Sequence, residues 1–217
     1  MLKKRSSWRT VLLAGIGISM LASCGSPTPQ ATHELIRVHV SSSLQPWLEE
    51  AYDCAREGTG VLYLTDDSSS DITLRIGEPE ALTLPAYQID EEEILIAAHR
   101  ESSIQNLSLA EAENLFAGRG DPTIQVWTYS SQVDVQEIFN RDVMKGRPVT
   151  SNGRLAVSPE NMREALKNGA NSVGILTRAW MTEDFREIYS LGKYPVLAIN
   201  RVQPEEEINR LIGCLQK

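Results

Sequence analysis

Apolar and polar residues alternate from Leu35 to Val40 (LIRVHV), a period of two that predicts a half-buried strand. The period then changes. After Ser41, Ser42 and Ser43, the residues Leu44, Leu48, Ala51, Tyr52 and Ala55 fall at helical spacing, with Pro46 in the first turn, where its missing N–H does no harm. Two further strands are expected at Val61 to Thr65 and Asp71 to Ile76. Ile94 to Ala98 is an almost unbroken apolar run, as expected of a central parallel strand buried on both faces. Ser108 and Glu111 stand at capping-box spacing, with Leu107 as the outer half of a staple to Ala112. Leu109, Ala112, Leu115 and Phe116 form the inner face of that helix, and Gly118 is its stop. A strand from Ile124 to Tyr129 then runs through Ser130, Ser131 and Gln132 into a helix. Ser131 is the expected cap, Asp134 takes the third position, and Val135, Ile138 and Phe139 point inward.

The remaining pattern is similar. Ser158-Pro159 opens a helix with Met162, Ala165 and Leu166 inside and Gly169 at its end. Asn171 to Leu176 and Pro195 to Asn200 are strands, and Pro204 opens a last helix with Ile208, Leu211, Ile212 and Leu215 as one apolar stripe. Strands alternating with helices predict an α/β fold with mainly parallel pairing.

The first 33 residues follow another logic. Lys3, Lys4, Arg5 and Arg9 precede a mostly apolar run from Val11 to Ala22, which is short for a permanent membrane span. The layout is that of a secretory signal. The ending Leu21-Ala22-Ser23-Cys24 resembles a bacterial lipobox, which implies cleavage before Cys24 and a lipid on its sulfur. Residues 1–23 are then a lipoprotein signal peptide, and 24–33 (CGSPTPQATH) a flexible tether to a body at 34–217. Export and anchoring at the extracytoplasmic face of a membrane are the expected outcome.

Removing the signal sharpens the charge. The chain has 21 basic and 29 acidic residues; without Lys3, Lys4, Arg5 and Arg9 the balance falls to −12. With no basic stripe to follow phosphates, nucleic acid is excluded as a partner. The acidic run Asp90 to Glu93 is expected to be a solvated loop rather than a metal site. No His or Cys is spaced to bind metal with His99. Neither a Gly-x-Ser-x-Gly elbow nor a Gly-rich nucleotide loop occurs, so neither an enzyme nor a cofactor is expected. Two cysteines remain in an exported chain, Cys54 and Cys214. They are either a disulfide joining the first and last helices or two separate buried thiols.

Two strand–hydroxyl–helix units, at Ser41–Ser43 and at Ser130–Gln132, are the candidate chemistry. Helix starts leave N–H groups unpaired and favour negative charge, although a serine there also serves as a plain cap. Asn106, Leu107, Ser108, Leu115, Phe116 and Gly118 stand in the frame N-L-S…L-F-x-G, followed by a strand and a hydroxyl loop. In this the chain resembles the phosphate-type periplasmic solute-binding proteins. The resemblance implies a two-lobed type 2 periplasmic-binding fold with crossing hinge strands. Lobe one would take about residues 34–93 and 182–217, and lobe two about 94–181. It also implies a ligand cleft lined by Ser41, Ser42, Ser43, Tyr129, Ser130, Ser131 and Gln132. Asp71 is the match for an aspartate beside the ligand, accepting a hydrogen bond from a protonated oxygen, or else an Asx-turn residue. The family's Ser-Gly-Thr is here Ser130-Ser131-Gln132, and no Arg precedes it. The implied function is the solute-binding component of an ABC importer: a lipid-anchored monomer that carries a small anion such as phosphate to a permease. The alternative is a non-transport surface lipoprotein that keeps the fold and contacts protein or envelope partners.

Overall fold

The computed structural model describes residues 34–58, 60–201 and 205–216. Cys24, the signal and the tether lie outside the described residues. The alternating run becomes β1 (Leu35–Val40), followed by a 3₁₀ turn (Ser42–Trp47) and α1 (Leu48–Glu57). After β2 (Val61–Leu64) and β3 (Ile72–Ile76) comes a long strand, β4 (Ala86–His99). The second half holds α2 (Leu109–Phe116), β5 (Gln125–Thr128), α3 (Asp134–Asp142), β6 (Arg154–Leu155), α4 (Pro159–Asn168) and β7 (Ser172–Thr177). The chain returns through the sixteen-residue β8 (Phe185–Asn200) to α5 (Glu206–Leu215).

These strands form one sheet in the order β2-β1-β3-β8-β4-β7-β5-β6. Each end is parallel: β1 pairs with β2 and β3, and β5 with β6 and β7. The middle is antiparallel. β8 runs against β3 and β4, and β4 runs against β7. Two lobes are therefore joined by β4 and β8, which cross between them side by side. Ile94 to Ala98 is central and fully buried, but both its neighbours are antiparallel, which corrects the parallel expectation. Strand–helix alternation cannot reveal that a strand belongs to a crossing rather than to a βαβ unit.

The acidic run is also not a loop. Asp90 to Glu93 lie inside β4, and Glu91 and Glu93 meet cations from far along the chain. Arg178 bonds Glu93, Ser190 donates to Glu93, and Lys193 lies 3.6 Å from Glu91. Glu92 is 5% exposed, and accepts from Trp47 Nε1 and the Ala179 amide. The Ser190 hydroxyl, outweighing burial and joined by Arg178, holds the Glu93 carboxyl below the usual carboxylate range.

Within lobe two the capping box at Ser108 and Glu111 is formed in both directions. Phe116 and Phe139, both fully buried, bring α2 and α3 together with ring centroids 4.6 Å apart. In lobe one, a disulfide joins Cys54 on α1 to Cys214 on α5, with Cα atoms 5.6 Å apart. No helix among the described residues is long and apolar enough to cross a membrane.

Candidate functional site

A groove of about 550 Å³ lies between the lobes at the C-terminal ends of β1 and β3. Lobe one lines it with His39, Ser41, Ser42, Gln45, Asp67, Thr73 and Arg75, and lobe two closes it with Gln132, Val133 and Asp134. The two hydroxyl-bearing turns thus meet across one opening. Asp67, Thr73 and Arg75 continue into a smaller hollow of about 250 Å³ beneath the connection between β3 and β4.

The turn after β1 is folded by its own first serine. The Ser41 hydroxyl accepts from the Ser43 amide at 3.4 Å, and Ser41's carbonyl accepts from Leu44. Leu44 is fully buried and fixes the turn to the core. This leaves Ser41 and Ser42 lining the groove, while Ser43 is 1% exposed and directed to lobe two. His39 Nδ1 lies 3.2 Å from the Thr65 carbonyl, so that nitrogen carries the hydrogen. Asp67 accepts from Thr73 at 2.9 Å and pairs with Arg201. Burial works against its charge, but these two partners hold its carboxyl below the usual range. Arg75 donates to Glu137 at 2.7 Å, and its Nε is buried without a partner.

On the opposite wall the helix begins later than expected. Its first residue is Asp134 and its cap position is Val133, so Ser131 is not the cap. The Val133 carbonyl accepts from both Gln136 and Glu137, and the Val135 amide turns to Asp134 Oδ1 at 2.8 Å. The chain itself therefore uses most of the donors at this helix start. Asp134 is 4% exposed. Its Oδ1 also accepts from the Ser43 hydroxyl at 2.8 Å, and its Oδ2 accepts from the Ile76 amide at 2.9 Å. One turn on, Glu137 takes Arg75 and the Glu80 amide. Ile138 completes the contact against Gly77. Gly77 has φ +68°, and a Cβ there would stand 2.8 Å from Ile138 Cδ1.

The sequence-based candidates divide accordingly. Ser41, Ser42 and Gln132 line the groove, and Ser43 lies just behind it in contact with Asp134. Ser130 is exposed, and its carbonyl accepts from Val133. Ser131 lines a different hollow of about 300 Å³, with Asn140, Gly146 and Arg147. Tyr129 borders that same hollow rather than the groove; it is 5% exposed, and its hydroxyl donates to the Ile175 carbonyl at 3.0 Å. Asp71 lies away from the groove and is spent on Arg37, taking that residue's amide, Nε and Nη2. The guanidinium, outweighing burial, holds the Asp71 carboxyl below its ordinary value. Sequence reasoning passed over Gln45, Arg75 and the bonds that Asp134 makes across the groove. Only Asp134 left a trace, as an acid in a helix's first turn, which usually means no more than a favourable dipole.

Comparison with solved structures identifies the fold. A phosphate ABC transporter substrate-binding protein from Clostridium perfringens, with bound phosphate, superposes at TM-score 0.75. It shares 12% identity, over 84% of this chain and 93% of that one. An ABC-type phosphate transport receptor from Vibrio cholerae gives TM-score 0.65 and 13% identity over the same shares. The fold is the two-lobed type 2 periplasmic-binding fold. The regulatory domain of CcmR from Synechocystis, in complex with 2-PG, also matches, at TM-score 0.61 and 13% identity over 85% of this chain and 96% of that one. No protein-family model matches the chain, and no curated protein matches it. At such identities the likeness speaks for the fold, which serves both transport receptors and regulatory domains.

Proposed function

We propose that the protein is a non-enzymatic, extracytoplasmic solute-binding component of an ABC-type importer, anchored through a lipid on Cys24. The observation that carries this reading is the interlobe groove of about 550 Å³, where Ser41 and Ser42 face Gln132 with Arg75 in the wall. Hydroxyl, amide and guanidinium donors gathered in a cleft suit a small solute that presents anionic oxygens, and phosphate is the first candidate. Two neighbours on the same fold, one with bound phosphate and one a phosphate transport receptor, support that choice. The groove's two carboxylates, Asp67 and Asp134, are already satisfied within the chain, which limits their repulsion of an anion.

Thermal unfolding with phosphate, sulfate, molybdate and small organic acids tests this directly. A solute at 100 times its dissociation constant stabilises by about 2.7 kcal/mol. For a folded body of this size the midpoint then rises by roughly 5–10 °C. Ser42→Ala combined with Gln132→Ala removes the rise. A C24S variant recovered in the soluble extracytoplasmic fraction supports the anchor.

A second reading draws on a different observation. Asp134 and Glu137 bind lobe one so fully that the lobes are latched without a solute. This favours a surface lipoprotein that keeps the fold and meets a protein or envelope partner. No midpoint shift with any member of the solute panel selects it.

A further inference from the structure

We infer that Asp134 is a resident anion: its carboxylate fills, from within the chain, a three-donor site between the lobes and holds them together before any solute arrives. The inference deepens the groove reading by naming what regulates that site, and it rests on the same groove.

Three donors converge on one carboxylate from three places in the sequence. The Ser43 hydroxyl comes from the turn after β1, the Ile76 amide from the end of β3, and the Val135 amide from the first turn of α3. All three lie at 2.8–2.9 Å, and all three groups belong to buried residues. A helix start with backbone amides and a hydroxyl is the set of groups a protein uses to bind a free oxyanion. Here the oxyanion is tethered to the helix itself. The effective concentration of an attached group exceeds that of any free competitor, so an incoming anion does not take this position. It must use the rest of the groove, at Ser42, Gln45, Gln132 and Arg75.

The latch acts across the lobes. Ser43 and Ile76 stand on lobe one and Asp134 on lobe two, so separating the lobes strips the carboxylate of two of its three donors. A buried carboxylate left without partners is costly, so the closed arrangement is the stable one in the solute-free protein. Ser43 is held for this role from behind, because the Trp180 indole donates to its carbonyl at 3.0 Å.

Chemical rescue tests the idea. Asp134→Ala in the full chain removes the carboxylate and leaves its three donors around a hole the size of formate. We expect the variant to unfold at a lower temperature than the wild type and to be restored by sodium formate, with sodium chloride at equal ionic strength as the control. Formate at ten times its dissociation constant raises the midpoint by about 3–6 °C. The wild type shows no formate response beyond that of chloride. Adding Ser43→Ala to Asp134→Ala weakens the rescue. A purely structural aspartate predicts destabilisation without rescue, and that result overturns the proposal.

Should Asp134→Ala fail to fold, Asp134→Asn carries the test. With one amide oxygen kept toward Ser43, its NH₂ opposes the Ile76 N–H, and exchange of the Ile76 amide quickens on the order of tenfold. Unchanged exchange there rejects the resident anion. The two readings fail separately. A wild type deaf to every solute removes the transport reading and leaves the formate rescue standing, whereas a solute-responsive wild type without rescue in the variant removes only the latch.

Discussion

Glu34 and Asp71 stand just before the neighbouring strands β1 and β3 of lobe one and titrate in opposite senses. Hydrogen bonds shared with Glu207 and Glu205 keep a proton on Glu34, whose carboxyl is raised to about 7. The folded state therefore holds that proton where the unfolded chain, near 4.3, has lost it. Its stabilisation is complete below the unfolded value and disappears as pH rises through about 7. Asp71 is the reverse. Arg37 lowers its carboxyl, so its stabilisation is present above about 3.9 and is lost as pH falls through the depressed folded value. Denaturant titrations from pH 5 to 8 should show the wild type losing stability toward pH 8 relative to Glu34→Gln. Arg210, which pairs with Glu207, is unchanged between the two proteins. Asp71→Asn should cost about 1–2 kcal/mol at pH 7, since it weakens three hydrogen bonds from a half-exposed arginine. Both residues show why single acids are hard to read. Asp71 follows three serines and looks like a ligand-binding residue, Asp134 stands in a helix's first turn, and only distant partners show that Arg37 engages the first while Ser43 and Ile76 engage the second.

At the scale of elements the apolar pattern was an accurate guide where an element's surroundings are local. Leu35–Val40 is β1 to the residue, and Ser108 caps α2 as its spacing with Glu111 implies. Ser108→Ala should cost about 1 kcal/mol, measurable as a shift in the denaturation midpoint at unchanged slope. Pattern failed where partners are remote. Tyr52, in the helical pattern with Leu48, Ala51 and Ala55, is 41% exposed, because the buried face of α1 passes through Ala51, Cys54 and Ala55. Asp90 to Glu93 reads as a loop because nothing nearby balances it, whereas Arg178 meets Glu93 from another lobe and Lys193 meets Glu91 from another strand. The disulfide is likewise long-range. It closes a span of 160 residues between α1 and α5, so reducing it frees much of the unfolded chain. Reduction, or the Cys54→Ala and Cys214→Ala double variant, should remove about 2–4 kcal/mol. The thermal midpoint then falls by roughly 5–15 °C.

For the whole molecule the decisive feature is how two lobes share one sheet. β8 bonds β3 through Val196 to Asn200, while β4 bonds β7 through Ile94 to Ala98. Between these stretches the β4–β8 register slips, from Ile94 opposite Gly192 to Leu95 opposite Ser190. The extra residue bends and twists the strand there, which makes this bulge the natural waist. Gly192 has φ +103° with nothing within 4 Å of an added Cβ, whereas Gly77 combines φ +68° with Ile138 at 2.8 Å. Gly192→Ala should therefore cost only backbone strain, about 1–2 kcal/mol. Gly77→Ala adds a collision across the lobe contact and should cost more, about 2–4 kcal/mol in all. A double-mutant cycle separates the two contributions. Ile138→Ala alone leaves a cavity, but in the Gly77→Ala background it removes the obstructing methyl, so the pair should recover about 1 kcal/mol relative to additivity. The same Ile138→Ala combined with Gly192→Ala should be additive, because Gly192 has no neighbour to relieve. Coupling at Gly77 and none at Gly192 would mean that α3 holds the lobes by contact while the crossing strands hold them by backbone geometry. Equal coupling at both sites would show that it does not arise from the contact between Gly77 and Ile138.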